Sequence, residues 1–203
     1  MNSQVHKKIL WLSYFTVGYN ILEGILSIIV GLFSGSIALQ GFGLDSFVES
    51  FSGVIMIWRF GKHKEISKEK EMLIEKKALR LVAYAFFLLS FYIFYESVRK
   101  LYLHEAPDPN LLGIIIAIVS LIIMPILFFM KYRIGNAIKS KSLIADSKQT
   151  LICMSLSVAV LMGLGLNYLY GFWQADPIAG LIIVMFIIRE GYLTLKEEKL
   201  CAC

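Results

Sequence analysis

The sequence contains few charged residues and little histidine, cysteine or proline. Only 17% of its 203 residues are charged, and it has three histidines, three cysteines and four prolines. Hydrophobic residues make up 58% of the chain, so too little polar surface remains to cover a soluble domain of this length. The three cysteines do not provide a disulfide framework, because Cys153 lies in an apolar segment and Cys201 and Cys203 lie on a tail expected in the cytoplasm, where thiols stay reduced. The composition indicates an integral membrane protein.

Six apolar segments divide the chain. They cover about residues 9–33, 37–58, 78–103, 111–131, 143–168 and 175–195, each near the roughly 20 residues that a helix needs to cross a bilayer. The fold class expected is therefore an all-α integral membrane protein with six transmembrane helices and no further domain.

Basic residues concentrate between the second and third segments and between the fourth and fifth, where Lys131, Arg133, Lys139 and Lys141 are assigned to a loop. Loops rich in Lys and Arg stay in the cytoplasm. Both termini are then cytoplasmic, and residues 196–203 form a short cysteine-containing tail. This topology accounts for the net charge of +5 without a nucleic-acid partner.

The second segment contains two acids, Asp45 and Glu49, one helical turn apart. A carboxylate at bilayer depth costs about 2.5–3.5 kcal/mol on insertion scales, so such residues normally face a wet cavity or a cation. The pair therefore indicates a cation pathway.

The fifth segment carries a matching pair, Gln149 and Cys153, also on one helix face. The second and fifth helices run in opposite directions, so Asp45 is expected level with Cys153 and Glu49 level with Gln149. Together the four side chains could form a roughly tetrahedral metal site of the kind zinc prefers. The alternative is that Gln149 and Cys153 only pack between helices, and their spacing does not decide between the two.

Three further acids lie in or beside the spans. Glu23 is too deep to be left unpaired and is a candidate metal relay or proton carrier. Asp146 is either a ligand for ions arriving from the cytoplasm or a helix cap. Asp176 precedes Pro177, the usual order of N-cap and first helical residue, which predicts a structural cap for the sixth helix.

The three histidines, His6, His63 and His104, lie outside the spans. An intramembrane enzyme would need a nucleophile with its base or a histidine-rich metal site, and the spans carry neither combination. The sequence therefore favours a protein that is not an enzyme.

Four stretches carry a family resemblance: residues 35–39 (GSIAL), 41–49 (GFGLDSFVE), 145–153 (ADSKQTLIC) and 175–179 (ADPIA). They resemble the transmembrane domain of cation diffusion facilitators, the cation efflux family of divalent-metal transporters, in a short bacterial-type subgroup without the cytoplasmic C-terminal domain. In that family the second helix usually carries His or Asp followed four residues later by Asp, and the fifth helix carries His-x-x-x-Asp. Asp45, Glu49, Gln149 and Cys153 occupy those metal-binding positions here.

The resemblance implies proton-coupled efflux of a divalent metal ion by alternating access, by a homodimer in the bacterial inner (cytoplasmic) membrane. It implies no permanent cofactor. Zinc is the first choice of ion, with cadmium, manganese, iron and cobalt as alternatives, since one thiolate and three oxygen donors suit ions of both kinds. Neither pair contains histidine, which leaves a non-transporting membrane metal-binding adaptor or sensor as the rival function.

Overall fold

Six α-helices make up nearly all of the described chain in the computed structural model, which describes the backbone of residues 3–61, 68–108 and 110–200. The all-helical architecture with six helices is confirmed. His63, Cys201 and Cys203 lie outside the described residues. The helices are α1 (Ser3–Ser34), α2 (Ile37–Gly61), α3 (Lys68–Leu103), α4 (Leu111–Ala137), α5 (Lys141–Tyr170) and α6 (Ala175–Leu200).

Three helices extend well beyond the predicted spans, and the first of them, α1, begins at Ser3. Helix α3 begins at Lys68 and α4 continues to Ala137, because Lys, Glu and Arg at the ends of these spans are good helix formers. Charged residues therefore end an apolar run here without ending the helix.

Four helical segments have the length and hydropathy of a membrane span: Lys7–Ser34, Leu111–Ala137, Asp146–Tyr170 and Ala175–Lys196. Helices α2 and α3 are not among them in the part of the chain that the structure describes, and α2 contains the two acids Asp45 and Glu49. Many large apolar side chains on the helices are exposed, including Phe33, Leu88 and Leu169, as expected for surfaces that contact lipid.

The helices form a closed group of four with a pair at its side. Helix α1 packs on α2, α2 on α5, α5 on α4 and α4 on α1. Helices α3 and α6 pack on each other and against α2, and α6 also contacts α5. We call the group of α1, α2, α4 and α5 the four-helix ring. The polar residues of these four helices therefore meet in its interior.

A glycine pair brings α1 and α2 close together. A Cβ atom added at Gly24 would lie 2.9 Å from the carbonyl oxygen of Gly43, and one added at Gly43 would lie 2.9 Å from the carbonyl oxygen of Gly24. Small residues at a membrane helix contact allow such an approach. The contact holds Glu23 on α1 against Ser46 on α2, whose hydroxyl donates to Glu23 Oε2 at 2.9 Å.

Asp176 caps a helix other than the one the sequence predicts. Its carboxylate accepts hydrogen bonds from Ser36 Oγ at 2.5 Å and from the backbone N–H of Ile37 at 2.9 Å, so it caps the N-terminus of α2. Asp176 is itself the second residue of α6. The predicted cap for α6 is therefore wrong, because a tertiary contact uses the side chain.

We expect Asp176→Ala to lower the free energy of unfolding by about 1–2 kcal/mol, since it leaves the start of α2 without its acceptor. The measurement is the thermal midpoint of the purified protein in detergent. Asp108→Ala, which removes an exposed loop carboxylate, is the control and should leave the midpoint unchanged. Equal midpoints for the two variants would contradict a capping role.

Candidate metal site

Asp45, Glu49 and Cys153 lie together in the interior of the four-helix ring. Asp45 and Glu49 are buried on the face of α2 that meets α5, and Cys153 is fully buried on α5. The Cys153 thiol lies beside both carboxylates. The structure thus buries three of the four side chains that the sequence selects as metal ligands where α2 and α5 meet.

Gln149, the fourth of these residues, is at the edge of the site. It is half-buried, and its Nε2 atom is buried without a hydrogen-bond partner among the described residues. The position next to Glu49 belongs to Thr150, whose hydroxyl donates to Glu49 Oε1 at 2.5 Å.

Thr150 is a site residue that the sequence reasoning missed. The buried polar face of α5 contains Asp146, Thr150, Cys153 and Ser157, which follow one another at intervals of four, three and four positions. These intervals are those of a single helix face. Thr150 lies three residues before Cys153 and four after Asp146, both of which are candidates from the sequence, so it continues the same helix face.

Lys131 requires the largest correction to the sequence-based prediction. It was assigned to the cytoplasmic loop between the fourth and fifth helices, but it lies within α4 and only 1% of its side chain is exposed. Its ammonium Nζ lies 3.0 Å from Asp146 Oδ2, 2.8 Å from Thr150 Oγ1 and 3.6 Å from Glu49 Oε1. A buried cation therefore faces the acids of the site.

The sequence does contain a signal for this position. The buried residues of α4 recur every three or four positions, and Lys131 continues that series at the last residue of the apolar segment. The series is Gly113, Ala117, Ser120, Met124, Leu127, Lys131 and Gly135.

Asp146 is buried and held by two partners. It pairs with Lys131 and accepts a hydrogen bond from Ser52 Oγ at 2.9 Å. The N-cap of α5 is Ser140, whose side chain accepts from the N–H of Leu143. The capping alternative for Asp146 is therefore wrong.

Glu23 forms a second polar layer on α1. Its carboxylate accepts hydrogen bonds from Tyr19 OH at 2.7 Å and from Ser46 Oγ at 2.9 Å. Asn20 and Ser27 lie on the same buried face, and neither Asn20 amide atom nor the Ser27 hydroxyl has a partner among the described residues. This layer offers polar groups to an ion or water beyond Asp45.

The site is acidic but is not assembled as a coordination shell. Glu23, Asp45, Glu49 and Asp146 are all buried, whereas Lys131 is the one buried lysine or arginine among the described residues. Within the described part of the chain, no group of three or more His, Cys, Asp and Glu side chains is close enough to hold a metal ion. Glu49 Oε2 is buried without a partner there. The arrangement attracts cations, and metal binding requires side chains to move together.

Two membrane proteins match most of this chain. Transmembrane protein 163 of Xenopus laevis is 22% identical over 192 residues, covering 94% of this chain and 67% of that protein. A cadmium, cobalt and zinc/H(+)-K(+) antiporter of Bacillus subtilis is 23% identical over 203 residues, covering 97% of this chain and 63% of the antiporter. The chain thus spans about two thirds of the length of these relatives.

The family comparison covers the second part of the fold. Residues 78–200 match the family described as the cation efflux transmembrane domain. That stretch is more than half of the 203 residues and contains Lys131, Asp146, Gln149 and Cys153, whereas Asp45 and Glu49 precede it. The chain therefore belongs to the cation efflux family of membrane transporters and is not an enzyme.

Proposed function

We propose that the protein exports a divalent metal ion in exchange for protons, by alternating access. The ion binds between α2 and α5, with Asp45, Glu49 and Cys153 as principal ligands and Gln149 as the fourth. The observation that carries the proposal is the burial of two carboxylates beside a thiol inside a membrane protein, an arrangement that is costly unless a cation uses it.

Zinc is the proposed principal ion. The thiol favours zinc, cadmium and cobalt over harder ions, whereas the oxygen donors also allow manganese and iron. The antiporter of Bacillus subtilis is named for cadmium, cobalt and zinc, and this supports the ions that a thiol favours. The metal ion is the cargo in this proposal, and no permanent cofactor takes part.

Proton exchange follows from the chemistry of the ligands. A carboxylate or thiol must be deprotonated to bind a metal ion, so binding releases protons and protonation from the far side expels the ion. Asp146, nearer the start of α5, is the proposed ligand for arriving ions, and Glu23 is the proposed relay on the exit side.

We further propose that both termini face the cytoplasm and that the protein is a homodimer in the bacterial inner membrane. The concentration of Lys and Arg in two loops supports the topology, and the other two statements rest on family resemblance. Cross-linking in native membranes would test the dimer. A band at monomer mass alone would contradict it.

A non-transporting adaptor or sensor is the second candidate function. Two observations favour it: among the described residues no group of three or more His, Cys, Asp and Glu side chains is close enough to hold a metal ion, and Lys131 already pairs with two of the acids. Such a protein would bind the ion without carrying it.

Reconstitution into sealed liposomes with a pH-sensitive dye inside distinguishes the two functions. Zinc, cadmium, cobalt, manganese and iron(II) are added in turn. An antiporter gives saturable, ion-dependent proton movement, largest for zinc or cadmium. Ion binding in detergent without proton or ion movement for any of the five would support the adaptor and overturn the antiporter.

A further inference from the structure

Lys131 lies between the loop end of the four-helix ring and the candidate metal ligands. Its partner Asp146 precedes Cys153 by seven residues on α5, which places it about 10 Å nearer the α4–α5 loop. Its ammonium also reaches Glu49 Oε1 at 3.6 Å and Thr150 Oγ1 at 2.8 Å. In this structure a cation supplied by the protein itself already contacts one of the proposed ligands.

We propose that Lys131 is a tethered cation that competes with the metal ion for Glu49 and so sets the affinity of the site. The inference rests on the proposed metal-binding function. Lys131 would be a positioning residue: it acts on the ion through Glu49, by holding that carboxylate towards Thr150 and Asp146 when the metal ion is absent.

The two oxygens of Glu49 carry this argument. Oε1 accepts from Thr150 and faces Lys131, whereas Oε2 has no hydrogen-bond partner among the described residues. A metal ion bound to Oε2 would either pull the Glu49 carboxylate away from Lys131 or leave the Lys131 ammonium close to the other oxygen of the same carboxylate. Both arrangements weaken binding, because like charges repel strongly inside a protein.

Weak binding is useful to a transporter because the ion must also leave. When the ion departs, Lys131 can return to Glu49 and prevent the carboxylate from holding it. Asp146 draws Lys131 in the opposite direction through a contact of 3.0 Å. The balance between the Lys131–Asp146 and Lys131–Glu49 contacts therefore sets how strongly Lys131 weakens binding of the metal ion.

The test measures zinc affinity of the purified protein by calorimetry, and the KM and maximal rate of zinc transport in liposomes. Lys131→Met should bind zinc at least about tenfold more tightly, because an opposing charge is removed, with a lower KM and a lower maximal rate. Lys131→Arg keeps the positive charge and should not show the tighter zinc binding of Lys131→Met. Lys131→Met with unchanged or weaker zinc binding in a folded protein would overturn the proposal.

Asp146→Asn provides a second route should Lys131→Met fail to fold. Released from Asp146, Lys131 should move to Glu49 and weaken zinc binding by about tenfold. Where Lys131→Met folds, the double variant should not show this loss in equilibrium affinity, because Asp146 meets arriving ions but is not among the proposed ligands of the bound ion, on which it acts through Lys131. Zinc binding by Asp146→Asn equal to that of the parental protein would overturn the competition.

Absence of zinc binding by the parental protein would overturn the proposed function. In that case the proposed competition still predicts that Lys131→Met binds zinc although the parental protein does not. Absence of zinc binding by Lys131→Met as well would overturn the competition.

Discussion

Asp45→Asn should abolish metal-driven proton movement while leaving the fold intact, with a loss of at least about 100-fold in rate at saturating zinc. The amide keeps the shape of the carboxylate but not its charge, and a neutral oxygen is a poor ligand for a divalent ion in a buried site. Asp45 is buried beside Cys153. Flux in proteoliposomes containing equal amounts of each variant is the measurement.

Glu96→Gln is the matched control. Glu96 is also an acid on a long helix, but it lies on α3, outside the four-helix ring, and pairs with Arg99 at 3.0 Å. This variant should transport at the parental rate. Parental flux in Asp45→Asn, or an equal loss in Glu96→Gln, would remove Asp45 from the ion pathway.

Cys153→Ser should change the ion preference and leave the protein folded. Serine keeps the size of the side chain but replaces the soft sulfur by a hard oxygen, so cadmium affinity should fall by about 100-fold while manganese affinity changes little. Cys153 is fully buried beside Asp45 and Glu49, and we therefore propose its sulfur as the soft ligand of the site.

Competition binding of cadmium and manganese to parental and variant protein measures this effect. X-ray absorption of the cadmium complex adds a direct observation, a sulfur neighbour present in the parental protein and absent in Cys153→Ser. Equal losses for the two ions would indicate a packing role for Cys153, the alternative that its spacing in the sequence leaves open.

The sequence was sufficient to predict the six helices and to predict which residues of α2 and α5 lie at the same depth. Six apolar runs gave six helices, and antiparallel counting along α2 and α5 put Asp45 near Cys153, where the structure has it. Both predictions rest on distances that vary little between proteins, the thickness of the bilayer core and the rise per residue of an α-helix. Whether these residues bind metal stays a proposal.

The partners of the acids were beyond the sequence because they depend on how helices rotate against one another. Lys131 was placed in a loop since a charge normally ends a span, yet α4 continues and turns it inward to Asp146. The residue beside Glu49 is Thr150 and not Gln149. One position along a helix corresponds to a rotation of about 100°, which the spacing of residues in the sequence does not determine.

Zinc accumulation against its gradient tests the central claim most directly. Liposomes with an acidic interior are placed in neutral buffer with radioactive zinc, and the interior zinc is counted for the parental protein and for Asp45→Asn. The account predicts that the parental protein concentrates zinc inside until the proton gradient is dissipated, and that Asp45→Asn admits none above empty liposomes. Parental liposomes that never exceed the outside zinc concentration, or that match Asp45→Asn, would contradict metal/proton antiport through this site.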